Sequence, residues 1–182
     1  GQEDRYIFGF EESYGYLAGS YVRDKDAVVA SMLICEMAAF YRTKGISLIQ
    51  ARENMYKKYG VYVHSQSSFV CEGVTGMERM KEIMSDLRTN TPKTIGGLTV
   101  TRFEDYLAST SVDTATGAKT MLTLPKSDVL TFKLTDGASV IIRPSGTEPK
   151  IKAYYTTTGT TKAEAAALEK TISDDFAKIL GF

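Results

Sequence analysis

The chain has 182 residues, 43% of them hydrophobic, so its length predicts one or two domains with a sizeable core. Its 22 basic residues balance its 22 acidic residues, which argues against recruitment of nucleic acid or an anionic membrane by overall charge. There is no apolar run long enough to cross a bilayer and no signal-peptide pattern. Cys35 and Cys71 lie in apolar contexts without metal-ligand spacing, so we expect buried free thiols in a reducing, cytoplasmic compartment.

The first sixty residues predict one strand and two helices. Residues 6–10 form a β-like run, and apolar positions recur at helical spacing over residues 26–44, with Asp26 as the N-cap. Ser47 and Gln50 form a capping-box pattern at the start of a second helix. One strand and two helices are too few for a complete domain, so we expect the end of an α/β domain whose earlier strands are absent.

From residue 61 onward the pattern changes to several strands with two helices. The strands are predicted over residues 61–70, 98–106, 130–134, 138–142 and 151–155. Asp136 and Gly137 form a two-residue hairpin signal, whereas residues 108–119, rich in Ser, Thr, Gly and Asp, predict a mobile surface loop. Residues 61–182 therefore predict an α+β domain, in which an antiparallel sheet has helices on one face.

Both helices of this second part begin with a capping-box pattern. The pattern consists of Thr75 with Glu78 in the first helix and Thr161 with Glu164 in the second. The residues predicted to face the core are Met77, Met80, Ile83 and Leu87 in the first helix and Leu168, Ile172, Phe176 and Ile179 in the second. The single histidine, His64, lies in a strand-like run without a Cys or His partner nearby, so we expect a structural role.

Residues 143–152 (RPSGTEPKIK) combine oxyanion-binding groups with a tight turn between two β-like runs. The residues with suitable groups are Arg143, Ser145, Gly146, Thr147, Lys150 and Lys152. An arginine can bind phosphate through two parallel bonds, lysines add point charges, and glycine allows successive N–H groups to point into one concavity. These features favour a phosphate site, although an ordinary polar hairpin loop would also fit them.

A second polar stretch, residues 9–16 (GFEESYGY), follows the first predicted strand. Adjacent carboxylates at Glu11 and Glu12 can accept two hydroxyl groups of a polyol, and Ser13 can donate to a third oxygen. A strand that ends in such residues is typical of a ligand-binding edge in α/β sheets. An acidic surface turn fits equally well, and the nearby Arg23 and Lys25 would face either the ligand or water.

Together the two motifs resemble the α-D-phosphohexomutase family, most closely its phosphoglucomutase branch. The motifs are Glu11-Glu12-Ser13 flanked by glycines and, more than a hundred residues later, residues 143–149. The order of elements between them fits as well, so the resemblance covers essentially the whole chain. It implies four domains around a deep cleft, of which residues 1–60 would end the α/β third domain. Residues 61–182 would form the complete fourth domain, with a TATA-binding-protein-like fold.

The resemblance also implies roles for individual residues. Glu11 and Ser13 would hydrogen-bond the ring hydroxyls of a hexose, and Glu12 occupies the variable middle position of the motif. Lys25 falls where related mutases place a basic residue near the ligand, so the resemblance makes it a further candidate for phosphate binding. The substrate's non-reacting phosphate would be held by Arg143, Ser145, Gly146 and Thr147, with Lys152 as an additional candidate.

Family catalysis uses a phosphoserine on the first domain and a magnesium ion held by an Asp-x-Asp-x-Asp-Arg loop on the second. Neither motif occurs in this sequence, so we expect no catalytic residue and no metal site in it, and no activity from it alone. The resemblance implies that the whole protein interconverts glucose 1-phosphate and glucose 6-phosphate through glucose 1,6-bisphosphate. The expected partners are a phosphorylated hexose and the missing N-terminal domains, not nucleic acid or a membrane.

Three alternatives to this function stay open. Within the family, the protein would be a phosphomannomutase or a phosphopentomutase. Outside it, the chain would be a non-catalytic phosphosugar-binding module, although the incomplete first domain, with an exposed sheet edge, argues against this. The last alternative is an interaction domain of the TATA-binding type; zero net charge and the lack of a basic stripe outside the loop argue against nucleic-acid binding.

Overall fold

The computed structural model describes residues 1–11 and 14–182 of the chain. It divides into two compact units, Gly1–Lys58 and Tyr59–Phe182, which we call the N-terminal unit and the C-terminal unit. Within the described residues, there is no helix with the length and apolar character needed to span a bilayer.

The N-terminal unit contains a short hairpin followed by two helices. Its elements are β1 (Phe8–Phe10), β2 (Tyr16–Ala18), α1 (Ala27–Thr43) and α2 (Leu48–Tyr59). The strands pair antiparallel, and β2 was not predicted because three residues give too short a pattern to detect. Asp26 caps α1 as predicted, since its carboxylate accepts the N–H groups of Val28 at 2.9 Å and Val29 at 3.1 Å. Ser47 likewise accepts the Gln50 N–H at 3.2 Å.

The apolar side chains of α1 are not buried by any other part of the described structure. The helix has no buried residue, and Met37 and Phe40, two of the apolar residues that recur at helical spacing, are 43% and 55% exposed. Cys35 is also exposed, so the prediction of a buried thiol is wrong for this cysteine and correct for Cys71, which is buried. Helical spacing predicted which residues share a side of α1, but not whether anything covers that side.

The C-terminal unit is an antiparallel sheet with two helices. Its strands are β3 (Val61–Val70), β4 (Thr94–Ile95), β5 (Leu98–Asp105), β6 (Thr110–Asp113), β7 (Lys119–Met121), β8 (Leu130–Leu134), β9 (Ser139–Pro144) and β10 (Lys150–Gly159). Its helices are α3 (Gly76–Thr89) and α4 (Lys162–Leu180). The strand order is β3-β10-β9-β8-β5-β6-β7, with β4 paired to β5. The predicted α+β fold, with helices on one face of the sheet, is confirmed.

Both helices contribute to one core on the inner face of the sheet. Alternate residues of β10, Ile151, Ala153 and Tyr155, are at most 1% exposed and belong to the same core as Phe176 of α4. The Phe176 ring packs edge-on against Tyr155, and against Phe132 of β8 at 5.8 Å between ring centres. The intervening residues of β10 therefore face away from the helices, on what we call the outer face.

The residue range predicted as a mobile loop forms the β6–β7 hairpin instead. The Asp113 carboxylate accepts both the N–H and the hydroxyl of Thr116, and the Gly117 N–H donates to the Asp113 carbonyl at 2.8 Å. Polar turn residues thus close a hairpin that pairs with β5, a non-local partner that composition does not reveal. The predicted turn between β8 and β9 is confirmed, with φ of +57° at Asp136 and +71° at Gly137.

Of the two capping boxes predicted in the C-terminal unit, only the second forms. Thr161 accepts the Glu164 N–H at 3.2 Å, and the Glu164 carboxylate reaches back to the Thr161 N–H. Thr75 makes no side-chain capping bond at the start of α3. Met77, predicted to be buried, is 39% exposed, and the buried residue at the beginning of this helix is Gly76.

Candidate functional site

Apart from Lys25, the predicted phosphate-binding residues lie on and beside the 145–149 loop (Ser-Gly-Thr-Glu-Pro), which joins β9 to β10. Both ends of this loop are fixed by backbone hydrogen bonds. The Ser145 N–H donates to the Lys150 carbonyl at 2.8 Å, and the Cys71 N–H donates to the Pro149 carbonyl at 2.8 Å. The loop is thus held by β10 on one side and by the residue that follows β3 on the other.

Arg143 and Lys152 lie directly opposite each other on neighbouring strands, where the 145–149 loop begins and ends. Their neighbours Ile142 and Ile151 are completely buried in the core. Because side chains alternate along a strand, Arg143 and Lys152 both point to the outer face. The register of the hairpin therefore places two cations side by side next to the loop.

The Ser145 hydroxyl organises the 145–149 loop, a role that was not predicted from the sequence. It accepts the backbone N–H groups of Thr147 at 3.4 Å and Glu148 at 3.2 Å. Two of the N–H groups expected to line an open concavity are thus directed at a hydroxyl in this conformation. The sequence signal for such a turn is a serine that precedes the two donor residues, Thr147 and Glu148, by two and three positions. Gly146 and Thr147 are exposed.

Lys150 is paired within the same stretch of chain rather than offering a separate point charge. Its ammonium nitrogen lies 2.5 Å from the Glu148 carboxylate. The hydrogen bond from Lys150, together with its charge, lowers the pKa of Glu148, and the charge of Lys152 contributes a smaller effect. Arg143 and Lys152 are consequently the better candidates for direct contact with an anion.

The candidate sugar-binding motif lies in the turn between β1 and β2. The turn is closed by the Glu11 N–H, which donates to the Gly15 carbonyl at 2.8 Å. Glu12 and Ser13 lie outside the described residues. Tyr14 is 85% exposed and has a φ of +64°, which is uncommon for a residue with a side chain.

Lys25 approaches this turn and pairs with Glu11. Its ammonium nitrogen lies 3.5 Å from a Glu11 carboxylate oxygen and 3.2 Å from Asp24. The hydrogen bond and charge of Asp24, followed by those of Glu11, raise the pKa of Lys25. The lysine stem passes over Gly15, where a Cβ atom would lie 2.2 Å from Lys25 Cδ. A side chain at position 15 would therefore displace the lysine stem, a constraint that no feature of the sequence indicated.

The described residues include no group of three or more His, Cys, Asp or Glu side chains that could hold a metal ion. They therefore do not fit the magnesium that the family resemblance implies. A cavity of about 310 Å³ lies between α3 and the end of α4, and another of about 380 Å³ lies beside Arg88 and Lys119. Neither cavity is lined by the 145–149 loop.

His64 has structural partners, a Thr156 hydroxyl at 3.1 Å and the stacked ring of Tyr62.

Comparison with known families gives two matches. Residues 2–59 match the model described as "Phosphoglucomutase/phosphomannomutase, alpha/beta/alpha domain III". Residues 79–174 match the model described as "Phosphoglucomutase/phosphomannomutase, C-terminal domain". The candidate sugar turn lies within the first range and the 145–149 loop within the second.

Curated proteins similar to this chain include phosphoglucomutases of staphylococci. The protein from Staphylococcus aureus (strain bovine RF122 / ET3-1) is 40% identical over 148 residues, which is 81% of this chain and 27% of that protein. The protein from Staphylococcus epidermidis (strain ATCC 12228 / FDA PCI 1200) is 37% identical over 152 residues, 84% of this chain and 28% of its own length. The chain thus spans little more than a quarter of these relatives.

A solved structure also resembles the fold. It is the open form of the exocytosis-sensitive phosphoprotein pp63/parafusin, a phosphoglucomutase from Paramecium, with a TM-score of 0.64 and 18% identity. The match covers 94% of this chain and 29% of that protein. At this identity, the likeness concerns the fold alone.

Proposed function

Because the chain belongs to the phosphoglucomutase/phosphomannomutase family, we propose that it is the ligand-positioning C-terminal part of a phosphoglucomutase. Residues 1–60 would be the end of its third domain and residues 61–182 its fourth. The whole protein would interconvert glucose 1-phosphate and glucose 6-phosphate through a phosphoserine and a bisphosphate intermediate. The relatives named phosphoglucomutase support this reaction over that of a phosphomannomutase or phosphopentomutase.

The proposal rests on the strand register that places Arg143 directly opposite Lys152 beside the 145–149 loop. Two cations on adjacent strands suit a doubly charged phosphate, and the planar guanidinium can bind two of its oxygens at once. The residues assigned to the substrate's non-reacting phosphate are Arg143, Ser145, Gly146, Thr147 and Lys152. The hydrogen bond from the Thr147 N–H to the Ser145 hydroxyl is long, at 3.4 Å. A phosphate oxygen at the loop would therefore compete with this hydroxyl for the Thr147 N–H.

The β1–β2 turn would bind the sugar. Glu11 and Ser13 are assigned to the ring hydroxyls, for which a carboxylate is an acceptor and a serine both a donor and an acceptor. Lys25 would orient the Glu11 carboxylate through their ion pair and add a positive charge near the ligand. Two sets of contacts, one for hydroxyls and one for phosphate, suit a bisphosphate that must reorient between two transfer steps.

The phosphoserine and the magnesium ion would both come from parts of the whole protein outside this chain. Phosphoryl transfer depends mainly on positioning and charge stabilisation, so separate residues that only position the substrate are physically reasonable. We place the protein in the cytoplasm, because Cys35 and Cys71 are free thiols. Its partners would be the phosphorylated hexose and the remaining domains.

The test is an NMR titration of this chain with glucose 1-phosphate and glucose 1,6-bisphosphate. Arg143→Ala should weaken binding about ten- to a hundredfold, the effect of losing a charge-assisted hydrogen bond. Lys133→Ala is the matched control, since it removes a cation from an exposed position on the outer face of β8 and should leave binding unchanged. Mannose and ribose phosphates provide the comparison within the family. A folded chain that binds none of these compounds, or an equal loss in both variants, would contradict the proposal.

A further inference from the structure

We propose that Gly76, the first residue of α3, is a positioning residue for the 145–149 loop, an inference that rests on the phosphate-binding role proposed above. Gly76 lies outside the loop and contributes no group to a ligand. Its effect is exerted through Cys71 and Pro149, which fix the C-terminal end of the loop.

The space beside Gly76 admits no side chain. A Cβ atom at this position would lie 2.0 Å from the Cys71 carbonyl oxygen and 3.0 Å from Pro149 Cβ. The first distance is far below van der Waals contact with a backbone atom, so either Cys71 or the start of α3 would have to move. The absence of a side chain thus allows the segment between β3 and α3 to close tightly.

Cys71 transmits this close packing to the loop. The last pair of the β3–β10 ladder is Val70 opposite Lys150. One residue further, the Cys71 N–H donates to the Pro149 carbonyl at 2.8 Å and so continues the ladder to the end of the loop. A shift of Cys71 would therefore displace Pro149, while Arg143 would keep its place on β9.

Backbone freedom does not explain the glycine. The φ of Gly73 is +90°, a conformation that favours glycine, but Gly76 is not among the glycines with positive φ. Alanine is also the better helix former, so α3 alone would favour alanine at its first residue. Space for Cys71 and Pro149 is the physical reason that remains.

The experiment compares Gly76→Ala with Gly159→Ala in the intact 182-residue chain. Gly159 is a matched control because a Cβ atom there would also crowd backbone, at 2.8 Å from Ala165 N and 3.0 Å from Thr161 O, but at the far end of β10. By calorimetry with glucose 1-phosphate, Gly76→Ala should lose roughly tenfold or more in affinity, because misplaced contacts are costly in a site that depends on positioning. Gly159→Ala should stay within about twofold, since distant sites act independently.

A second measurement needs no ligand. Gly76→Ala should shift the backbone NMR signals of Gly146 and Thr147 and speed hydrogen exchange at the Cys71 amide, whereas Gly159→Ala should do neither. Wild-type signals and affinity in Gly76→Ala, or the same losses in both variants, would overturn the proposal. If the unmodified chain binds no phosphosugar, the proposed function fails, and these spectra still decide whether Gly76 positions the loop.

A third variant covers the case in which Gly76→Ala does not fold. Pro149→Gly removes the contact from the loop side and keeps the carbonyl that accepts the Cys71 N–H. It should shift the signals of Gly146 and Thr147 in the ligand-free chain. Unchanged signals would overturn the proposal.

Discussion

The ammonium nitrogen of Lys25 lies 3.5 Å from a carboxylate oxygen of Glu11, and the lysine stem reaches it across Gly15. The pair joins the segment before α1 to the β1–β2 turn. The lysine stem occupies the space that a side chain at position 15 would need.

Lys25→Met should weaken binding of glucose 1-phosphate roughly two- to fivefold, the scale of an exposed ion pair. The pKa of Lys25 is raised above its ordinary value of 10.5, so the pairing is fully present below that value and is lost only as pH rises through the higher one. The affinity difference from the unmodified chain should therefore persist throughout the neutral range. Arg23→Met makes the same charge change two residues away and is the control; an equal loss there would show a general charge effect.

Thr161→Ala should lower the free energy of unfolding by about 1 kcal/mol, because it removes the hydroxyl that caps α4. Thr75→Ala is its matched control at the start of α3, where the threonine makes no side-chain capping bond, and should change stability very little. Urea denaturation followed by circular dichroism measures both. Equal losses in the two variants would mean that the Thr75 hydroxyl contributes in a way that the structure does not show.

These two threonines show what sequence patterns predict well and where they fail. Both precede a glutamate by three residues, so the local pattern is identical. Thr161 has the extended backbone that capping requires, with φ −127° and ψ 158°, whereas Thr75 has φ −90° and ψ 7°. The tight packing of Gly76 against Cys71 lies next to Thr75, and such non-local packing cannot be derived from spacing.

The candidate site likewise has some features that local sequence patterns predict and others that they do not. The 145–149 loop and its neighbouring cations were predicted because a turn between two β-like runs is a local pattern, and the register then places Arg143 opposite Lys152. The pairing of Lys150 with Glu148 and the passage of Lys25 across Gly15 depend on side-chain conformations, for which the sequence has no signal. The predicted roles of Glu12 and Ser13 lie outside the described residues and stay predictions.

Arg88→Met should lower the free energy of unfolding by about 2–3 kcal/mol. Arg88 donates to Asp105 at 3.0 Å and to Asp128 at 2.5 Å, and the Asp105 side chain is only 9% exposed. Removing the cation leaves a buried carboxylate whose remaining donors, among the described residues, are the N–H groups of Leu107 and Ala108. The expected loss is smaller than for a completely buried pair because Arg88 itself is 23% exposed.

Arg79→Met on the same helix is the control for this loss. Its pair with Glu82 spans 3.7 Å and both side chains are more than half exposed, so the change should be about 0.5 kcal/mol or less. Urea denaturation at neutral pH compares the two variants. A similar small loss for Arg88→Met would show that water replaces the arginine at Asp105.

Glu148→Gln should raise the affinity for glucose 1-phosphate roughly two- to fourfold, because it removes a like charge next to the phosphate and releases Lys150 from its 2.5 Å pairing. Asp136→Asn is the matched control, because it makes the same charge change just before the N-terminal end of β9, away from the loop. Asparagine also tolerates the φ of +57° at this position. Calorimetry at neutral pH compares both variants with the unmodified chain. A weaker affinity in Glu148→Gln would mean that the Glu148–Lys150 pair is needed to order the loop.

The same variant gives a test by pH. The pKa of Glu148 is lowered from 4.5, chiefly by the hydrogen bond from Lys150, so the pair is present above 4.5 and is lost as pH falls through the lower value. Once Glu148 is protonated it resembles glutamine in charge, and the affinities of the unmodified chain and Glu148→Gln should converge. Protonation of the phosphate itself affects both proteins equally and cancels in their ratio. A ratio that stays constant well below pH 4.5 would show that the charge of Glu148 is not what opposes binding.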